Sequence, residues 1–256
     1  MVRIHVRQQA RAASQPYPHD SKRHFMRDKD IISILKHSEG KKQELSSLMF
    51  TAKIQNTSVE NVSNLVADIL NNLTKCFDYC ANDIYEKYIP HHIEPKHKDI
   101  YFPFYKNQLL NKGNPISLLL RYKKVIYDYL LAITEKADNN ELIEDTNIAY
   151  SLAREIRRLV NEDKHNKIIE VDFEGPSEVI AQSEIGNITI KQDNLVQNGM
   201  RVELFPNQEK TIKTVKSYRL VDNNKEVADF CWDSQACTQQ ILDKIYRKFF
   251  GTKIML

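Results

Sequence analysis

Between Thr57 and Tyr88, apolar side chains recur at steps of three and four: Val62, Val66, Ile69, Leu73, Cys76 and Cys80. At 100° per residue these positions fall within a narrow arc, so the segment reads as one long helix that buries a single stripe. Thr57 and Glu60 match a capping box, in which each side chain serves a backbone donor at the opened helix start. Pro90 ends the run.

Partners for that stripe are present on both sides of it in sequence. A short helix is predicted over 30–37, broken at Gly40, and another over 42–54 with Leu45, Leu48, Met49 and Ala52 on one face. Residues 90–115 read as irregular. Helices follow over 116–136 (Leu119, Tyr122, Ile126, Tyr129, Ile133) and 146–163 (Ile148, Leu152, Ile156, Leu159), separated by the breaker Asp138-Asn139-Asn140.

After Asn166 the texture changes to short β-branched runs, Lys167–Phe173, Asn187–Lys191, Arg201–Phe205, Thr211–Leu220 and Glu226–Trp232. Asp222-Asn223-Asn224 sits in a hairpin-like connection, and a last amphipathic helix is predicted over 235–250. The fold class expected is α+β: a helical bundle, then a small antiparallel β-rich region and a C-terminal helix. The domains expected are a basic flexible tail over 1–29, a bundle over 30–166 and the β-rich region with its helix over 167–256.

Composition limits the functional classes. With 41% hydrophobic and 28% charged residues the chain is neither disordered nor membrane-spanning in character. Apolar runs such as 116–120 stop at Arg121, far short of the roughly 20 residues that cross a bilayer. Arg3, Arg7 and Arg11 lack the apolar stretch of a secretory signal. Seven Lys/Arg against Asp20 and Asp28 make residues 1–29 net +5, whereas the whole chain is +3, so the remainder is near −2. Such an arm is either a solvated tail or a phosphate contact. Cys76 and Cys80 lie on the apolar stripe, which makes them core thiols and fits a reducing, cytoplasmic setting.

Familiar catalytic signatures are missing: no Gly-rich phosphate loop, paired CxxC, HExxH or GxSxG. Six glycines leave little with which to build a nucleotide cradle, so no cofactor is expected. His91, His92, His97 and the helical cysteines match no common ligand spacing, so no metal is expected either.

The segment Arg154–His165 carries the strongest chemical signal. On a helix, Arg154, Arg158, Asn161 and His165 lie within roughly 60° of one another, away from Ile148, Leu152, Ile156 and Leu159. This face is read as turned outward, toward solvent, a second subunit or a ligand. A guanidinium that holds a phosphate beside an imidazole that moves a proton is the minimum for cleaving RNA through its own 2′-hydroxyl. A solvated helical face with a charged end is the plainer alternative. Asp163 falls within the apolar arc, as a structural anchor or a held acid, and Lys164 points elsewhere. Asp68, Asn72, Tyr79 and Asp83 edge the long stripe, where they read as a hydrogen-bonded border. Tyr101-Phe102-Pro103-Phe104-Tyr105 is either a base-stacking loop or an aromatic loop folded onto the bundle.

Three segments together carry a resemblance. Residues 65–79 (LVADILNNLTKCFDY) are similar to a D-x-x-x-N-L-R-x-x-L-D helix, Tyr101–Phe104 to an F-P-I segment, and 159–166 (LVNEDKHN) to an L-N-x-D-K-H-R segment leading into strands. In that order they resemble a group of bacterial proteins with a HEPN-like helical region and a β-rich C-terminus. Thr74 stands where the pattern has Arg, and Asn166 replaces the Arg after the His. The resemblance implies a metal-independent endoribonuclease of toxin or antiviral-defence type, acting as a homodimer. Arg158 would contact the phosphate, His165 would be the general acid/base and Asn161 would orient it. Arg154, Asp68, Asn72, Asp163 and Lys164 would be binding residues. The alternative is a non-catalytic regulatory module that binds a protein partner through the β-rich region. RNA, a protein partner and a second copy are thus the partners expected, with no membrane.

Overall fold

The structure is a computed structural model that describes residues 26–55, 59–90, 100–164, 169–172, 178–183, 186–191, 196–197, 200–201, 213–215 and 218–256. Helix dominates. The elements are α1 (Asp28–Gln55), α2 (Val59–Tyr88), α3 (Lys106–Leu110), a 3-10 turn (Pro115–Leu118), α4 (Leu119–Tyr122), α5 (Lys124–Asp138), α6 (Leu152–Lys164) and α7 (Val227–Phe250). Short strands occupy part of the span between α6 and α7: β1 (Val171–Asp172), β2 (Glu178–Ser183), β3 (Gly186–Lys191), β4 (Val196–Gln197), β5 (Met200–Arg201), β6 (Lys213–Val215) and β7 (Arg219–Leu220). Their pairing is antiparallel: β1 with β7, β2 between β3 and β6, and β4 with β5.

The long stripe does what its period predicts. Val62, Val66, Ile69, Leu73, Cys76 and Cys80 on α2 are all completely buried, and α1, α6 and α7 pack around that helix. Thr57, the proposed cap, lies outside the described residues.

Four sequence expectations need correction. First, α1 runs unbroken through Gly40. Its buried positions Ile31, Leu35, Ser38, Lys42, Leu45 and Met49 form one stripe from 31 to 49. Two of the central positions are polar, which hides the period from a hydrophobic reading. Gly40 is exposed on the outer face, where a helix tolerates it at about 1 kcal/mol. The helix also begins at Asp28, inside the segment assigned to the tail.

Second, the helix expected over 116–136 is divided. Lys123 takes φ −151°, ψ 67°, which separates α4 from α5. Third, the helix expected from Thr146 starts at Leu152. Asp145 adopts a left-handed φ of 63°, and Thr146 Oγ1 accepts from Ile148 N at 3.1 Å while donating to Ile143 O at 2.8 Å. That local bonding competes with helix formation.

Fourth, the strand expected over Glu226–Trp232 is the start of α7. Val227, Phe230, Cys231, Ser234, Thr238, Ile241, Leu242, Ile245 and Tyr246 line its buried face, and Trp232 points outward. Gly251, at φ 72°, closes the helix by donating its N–H to Tyr246 O. The side chains of α7 join those of α1, α2 and α6 in one hydrophobic core, so this helix belongs to the bundle and not to a separate C-terminal unit.

Candidate functional site

Three arginines leave α6 in three directions, and each meets its own chain. Arg154 donates Nε to Phe104 O at 2.7 Å, Nη1 to Asp138 at 2.6 Å and Nη2 to Thr134 O at 2.5 Å. It thereby ties the 100–105 segment and the end of α5 to α6. Arg157 reaches Asp78 on α2 at 3.3 Å. Arg158 bonds Glu162, one turn on, at 3.0 Å, and also Asp222 in the turn between β7 and α7. Burial disfavours the Arg158 charge, but the hydrogen bonds to Asp222 and Glu162 outweigh it and raise its pKa.

The turn that carries Asp222 makes two further contacts with α6. Asn223 Nδ2 donates to Glu155 Oε1 at 2.5 Å, and Lys225 Nζ donates to Glu155 Oε2 at 2.9 Å. Residues 221–225 therefore lie along the part of α6 that holds Glu155, Arg158 and Glu162. The face expected to turn outward is partly covered by its own chain: Arg154 is 14% exposed and Arg158 40%. Asn161 is exposed on the last turns of α6. Asp163 and Lys164 belong to α6, but their side chains, like the whole of His165, lie outside the described residues.

The other proposed binding residues are elsewhere. Asp68 is exposed on α2 and lies 3.8 Å from Lys41 of α1. About 15 Å of helix separates it from Asp78, where α2 meets Arg157. Asn72, half-buried, is one turn on from Asp68.

Sequence reasoning placed Asp83 on the border of the stripe, yet its side chain is completely buried. It accepts from the Arg27 backbone N–H at 2.8 Å, from Arg27 Nη1 at 2.7 Å and from the Tyr246 hydroxyl at 2.6 Å. Arg27 Nη2 also bonds Glu86 at 2.6 Å. These carboxylates, Glu86 above all, hold the Arg27 pKa above its ordinary value despite burial. A second, partly buried seam joins α1 to α7: Lys42 pairs with Glu39 at 3.0 Å, Gln235 donates to Glu39 at 3.0 Å, and the Lys42 ammonium lies 3.3 Å from the Trp232 ring centre. Burial lowers the Lys42 pKa, and Glu39 opposes that shift. Neither seam has a sequence signature, because the first draws on α2, α7 and the residue before α1, and the second on α1 and α7.

Thr74, where the resembled pattern has Arg, is 2% exposed with its hydroxyl unpartnered among the described residues. That position faces the core. All four cysteines are buried free thiols. Among the described residues no group of three His, Cys, Asp or Glu is placed to hold a metal, and no helix is long and apolar enough to cross a membrane. The three histidines of 91–97 lie outside the described residues. Beside the Asp222 turn, a pocket of about 380 Å³ opens between Leu152, Arg219, Asp229, Phe230 and Asp233.

No family model, curated protein or solved structure matches this chain.

Proposed function

We propose that this chain is an RNA-directed protein of the HEPN type, a helical bundle with a β-rich appendage. In this reading it works as a homodimer, and the end of α6 cleaves a phosphodiester without metal. One observation carries the reading: Arg158 sits at the solvent boundary with its guanidinium held by two carboxylates. One of these, Asp222, lies on an exposed turn. A carboxylate and a phosphate offer a guanidinium the same paired oxygens, so a phosphodiester fits where Asp222 now sits. Asn161 is exposed one turn away, and His165 follows the helix end in sequence.

The chemistry needs little more. Arg158 neutralises the phosphate oxygens, His165 takes the proton of the 2′-hydroxyl as its oxygen bonds to phosphorus, the bond from phosphorus to the 5′ oxygen breaks, that oxygen takes a proton from water, and Asn161 orients the imidazole. Wild-type protein should cut single-stranded RNA in EDTA and leave 2′,3′-cyclic phosphate ends. Arg158→Ala and His165→Ala should each abolish cutting with little change in melting temperature. Cutting that survives both substitutions would sink the reading.

The second reading is a non-catalytic module that binds a protein partner. It is favoured by the same closure of Arg158, because carboxylates of its own chain already occupy the cation. Absence of cutting by wild type, alone and with candidate partners, would put this reading first.

A further inference from the structure

We propose that the turn over residues 221–225 is a self-inhibiting clamp on Arg158, anchored through Glu155 and displaced when an RNA strand binds; the choice of RNA rests on the function proposed above. Asp222 is the part that covers the guanidinium, taking Arg158 Nη2 while Glu162 holds Nη1. Its neighbours anchor it. Asn223 Nδ2 and Lys225 Nζ donate to different oxygens of Glu155, at 2.5 and 2.9 Å. Glu155 stands three residues before Arg158, so anchor and clamped group are neighbours on the surface of α6. Glu155, Asn223 and Lys225 have no part in the cleavage chemistry, which makes a regulatory role separable from it.

The turn is stapled at its base and weakly held at its tips. Leu220 N donates to Lys225 O at 2.9 Å, Asn224 N to Leu220 O at 2.9 Å and Val221 N to Glu170 O at 3.1 Å. Arg219 Nη1 adds a bond to Asn224 O at 2.8 Å. Lys225 N donates to Asn223 Oδ1 at 2.9 Å, which turns the Asn223 amide nitrogen toward Glu155. Leu220 itself is buried and paired with Val171. The backbone is therefore fixed from both sides, and release of Arg158 needs only rotation of side chains. Those side chains are exposed: Arg158 by 40%, Asp222 by 47% and Lys225 by 50%. Bridges between such groups are weak and salt-screened, so a strand that brings phosphate to Arg158 can replace Asp222.

A closed clamp lowers the apparent affinity by the fraction of molecules in which it is open. Loosening the anchor raises that fraction without touching Arg158, and the benefit passes entirely through Arg158. This separates a clamp from two plainer effects. A brace that only holds the turn to α6 would change stability and not affinity. Loss of a negative charge near a strand would favour binding whether or not Arg158 were present.

The test uses the full chain and a labelled 2′-O-methyl oligouridylate, which lacks the attacking hydroxyl and is not cut. Glu155→Ala should tighten binding by about threefold or more, the lower end of the coupling between residues in contact. The gain should vanish when Arg158→Gln is added. Combining Glu155→Ala with Asp222→Asn should bring little beyond either change alone, because both open one clamp. Should Glu155→Ala fail to fold, Asn223→Ala, which alters no charge, serves in its place with a gain in the same direction. Equal affinity in wild type and in the folded Glu155→Ala protein overturns the clamp. So does an equal gain in the Arg158→Gln background, or no binding by wild type and both variants. The clamp and the nuclease fail separately. Cutting of unmodified RNA with no gain from Glu155→Ala removes the clamp and keeps the nuclease. An Arg158-dependent gain without any cutting keeps the clamp and removes the nuclease.

Discussion

Asp83 joins three helices through one carboxylate. Its carboxylate receives Arg27 from the start of α1 and Tyr246 from α7 while sitting in the middle of the α2 core. Burial, with the nearby Cys80 and Asp83, pushes the Tyr246 hydroxyl pKa well up, so it remains a donor. Asp83→Ala takes the acceptor from the Tyr246 hydroxyl and the Arg27 backbone N–H, while the Arg27 guanidinium keeps Glu86, and a stranded buried polar group costs about 1–3 kcal/mol. A urea midpoint equal to wild type would show that the network contributes nothing. The thiols predict a pH effect of definite sign. Burial raises Cys76, Cys231 and Cys237 from 9.0 to about 12. The folded state therefore keeps these protons where the unfolded state has lost them. Their contribution is intact below pH 9 and declines between pH 9 and 12. Each adds about 1.4 kcal/mol per pH unit to the alkaline slope. Urea titrations at pH 8, 9.5 and 10.5 should show the decline, and Cys76→Ala should make it shallower by one thiol.

At the level of elements, α1 shows how a polar core position disguises a helix. Ser38 and Lys42 occupy buried places, Lys42 being neutralised by Glu39, and the outward Gly40 falls between them. A Cβ at Gly40 meets nothing within 4 Å. Gly40→Ala should accordingly stabilise the fold by about 0.5–1 kcal/mol, read as a rise in melting temperature. A fall would mean that the helix is strained there. The turn between β7 and α7 is the other informative element, since Asp222, Asn223 and Lys225 all bond α6. Asp222 is 47% exposed, and bridges of that kind contribute under about 1 kcal/mol. Asp222→Asn should therefore leave the unfolding midpoint nearly unchanged while it removes the charge that holds Arg158 Nη2, Glu162 staying on Nη1. If Arg158 binds phosphate, oligonucleotide affinity should rise. Unchanged affinity would separate Arg158 from RNA binding.

Over the whole molecule, the bundle is completed from both ends of the chain. Phe230, Ile241, Leu242, Ile245 and Tyr246 of α7 are buried among α1, α2 and α6, and Val171 and Leu220 bring the β1–β7 pair onto the same core. A chain that stops at Lys225 removes this whole layer. At ~2 kcal/mol for each large apolar side chain, these five α7 residues amount to about 10 kcal/mol, as much as the ~5–15 kcal/mol stability of an ordinary domain. Such a truncation should lack a cooperative melt. A cooperative transition in it would restore the division of the chain into an independent bundle over 30–166 and a separate C-terminal unit.

Local periodicity by itself determined α2, whose six stripe residues are all buried. It also determined the apolar face of α6 and the helical end of the chain, because burial of one face imposes a 3.6-residue repeat that survives in any context. The aromatic cluster of 101–105 was legible as two competing outcomes, and the structure realises the fold-back for Phe102 and Phe104 while leaving the tyrosines exposed. Only the tertiary structure decided the rest. It joined α1 across Gly40, because polar core positions carry no hydrophobic signal. It turned Val227–Trp232 from a strand-like run into helix, because burial against α1 and α2 outweighs a propensity of a few tenths of a kcal/mol per residue. It sent Arg154, Arg157 and Arg158 to three separate sets of partners, although a helical wheel sets Arg154 and Arg158 on one open face. Long side chains take whichever partner the fold brings near, and those partners lie from 4 to 79 residues away.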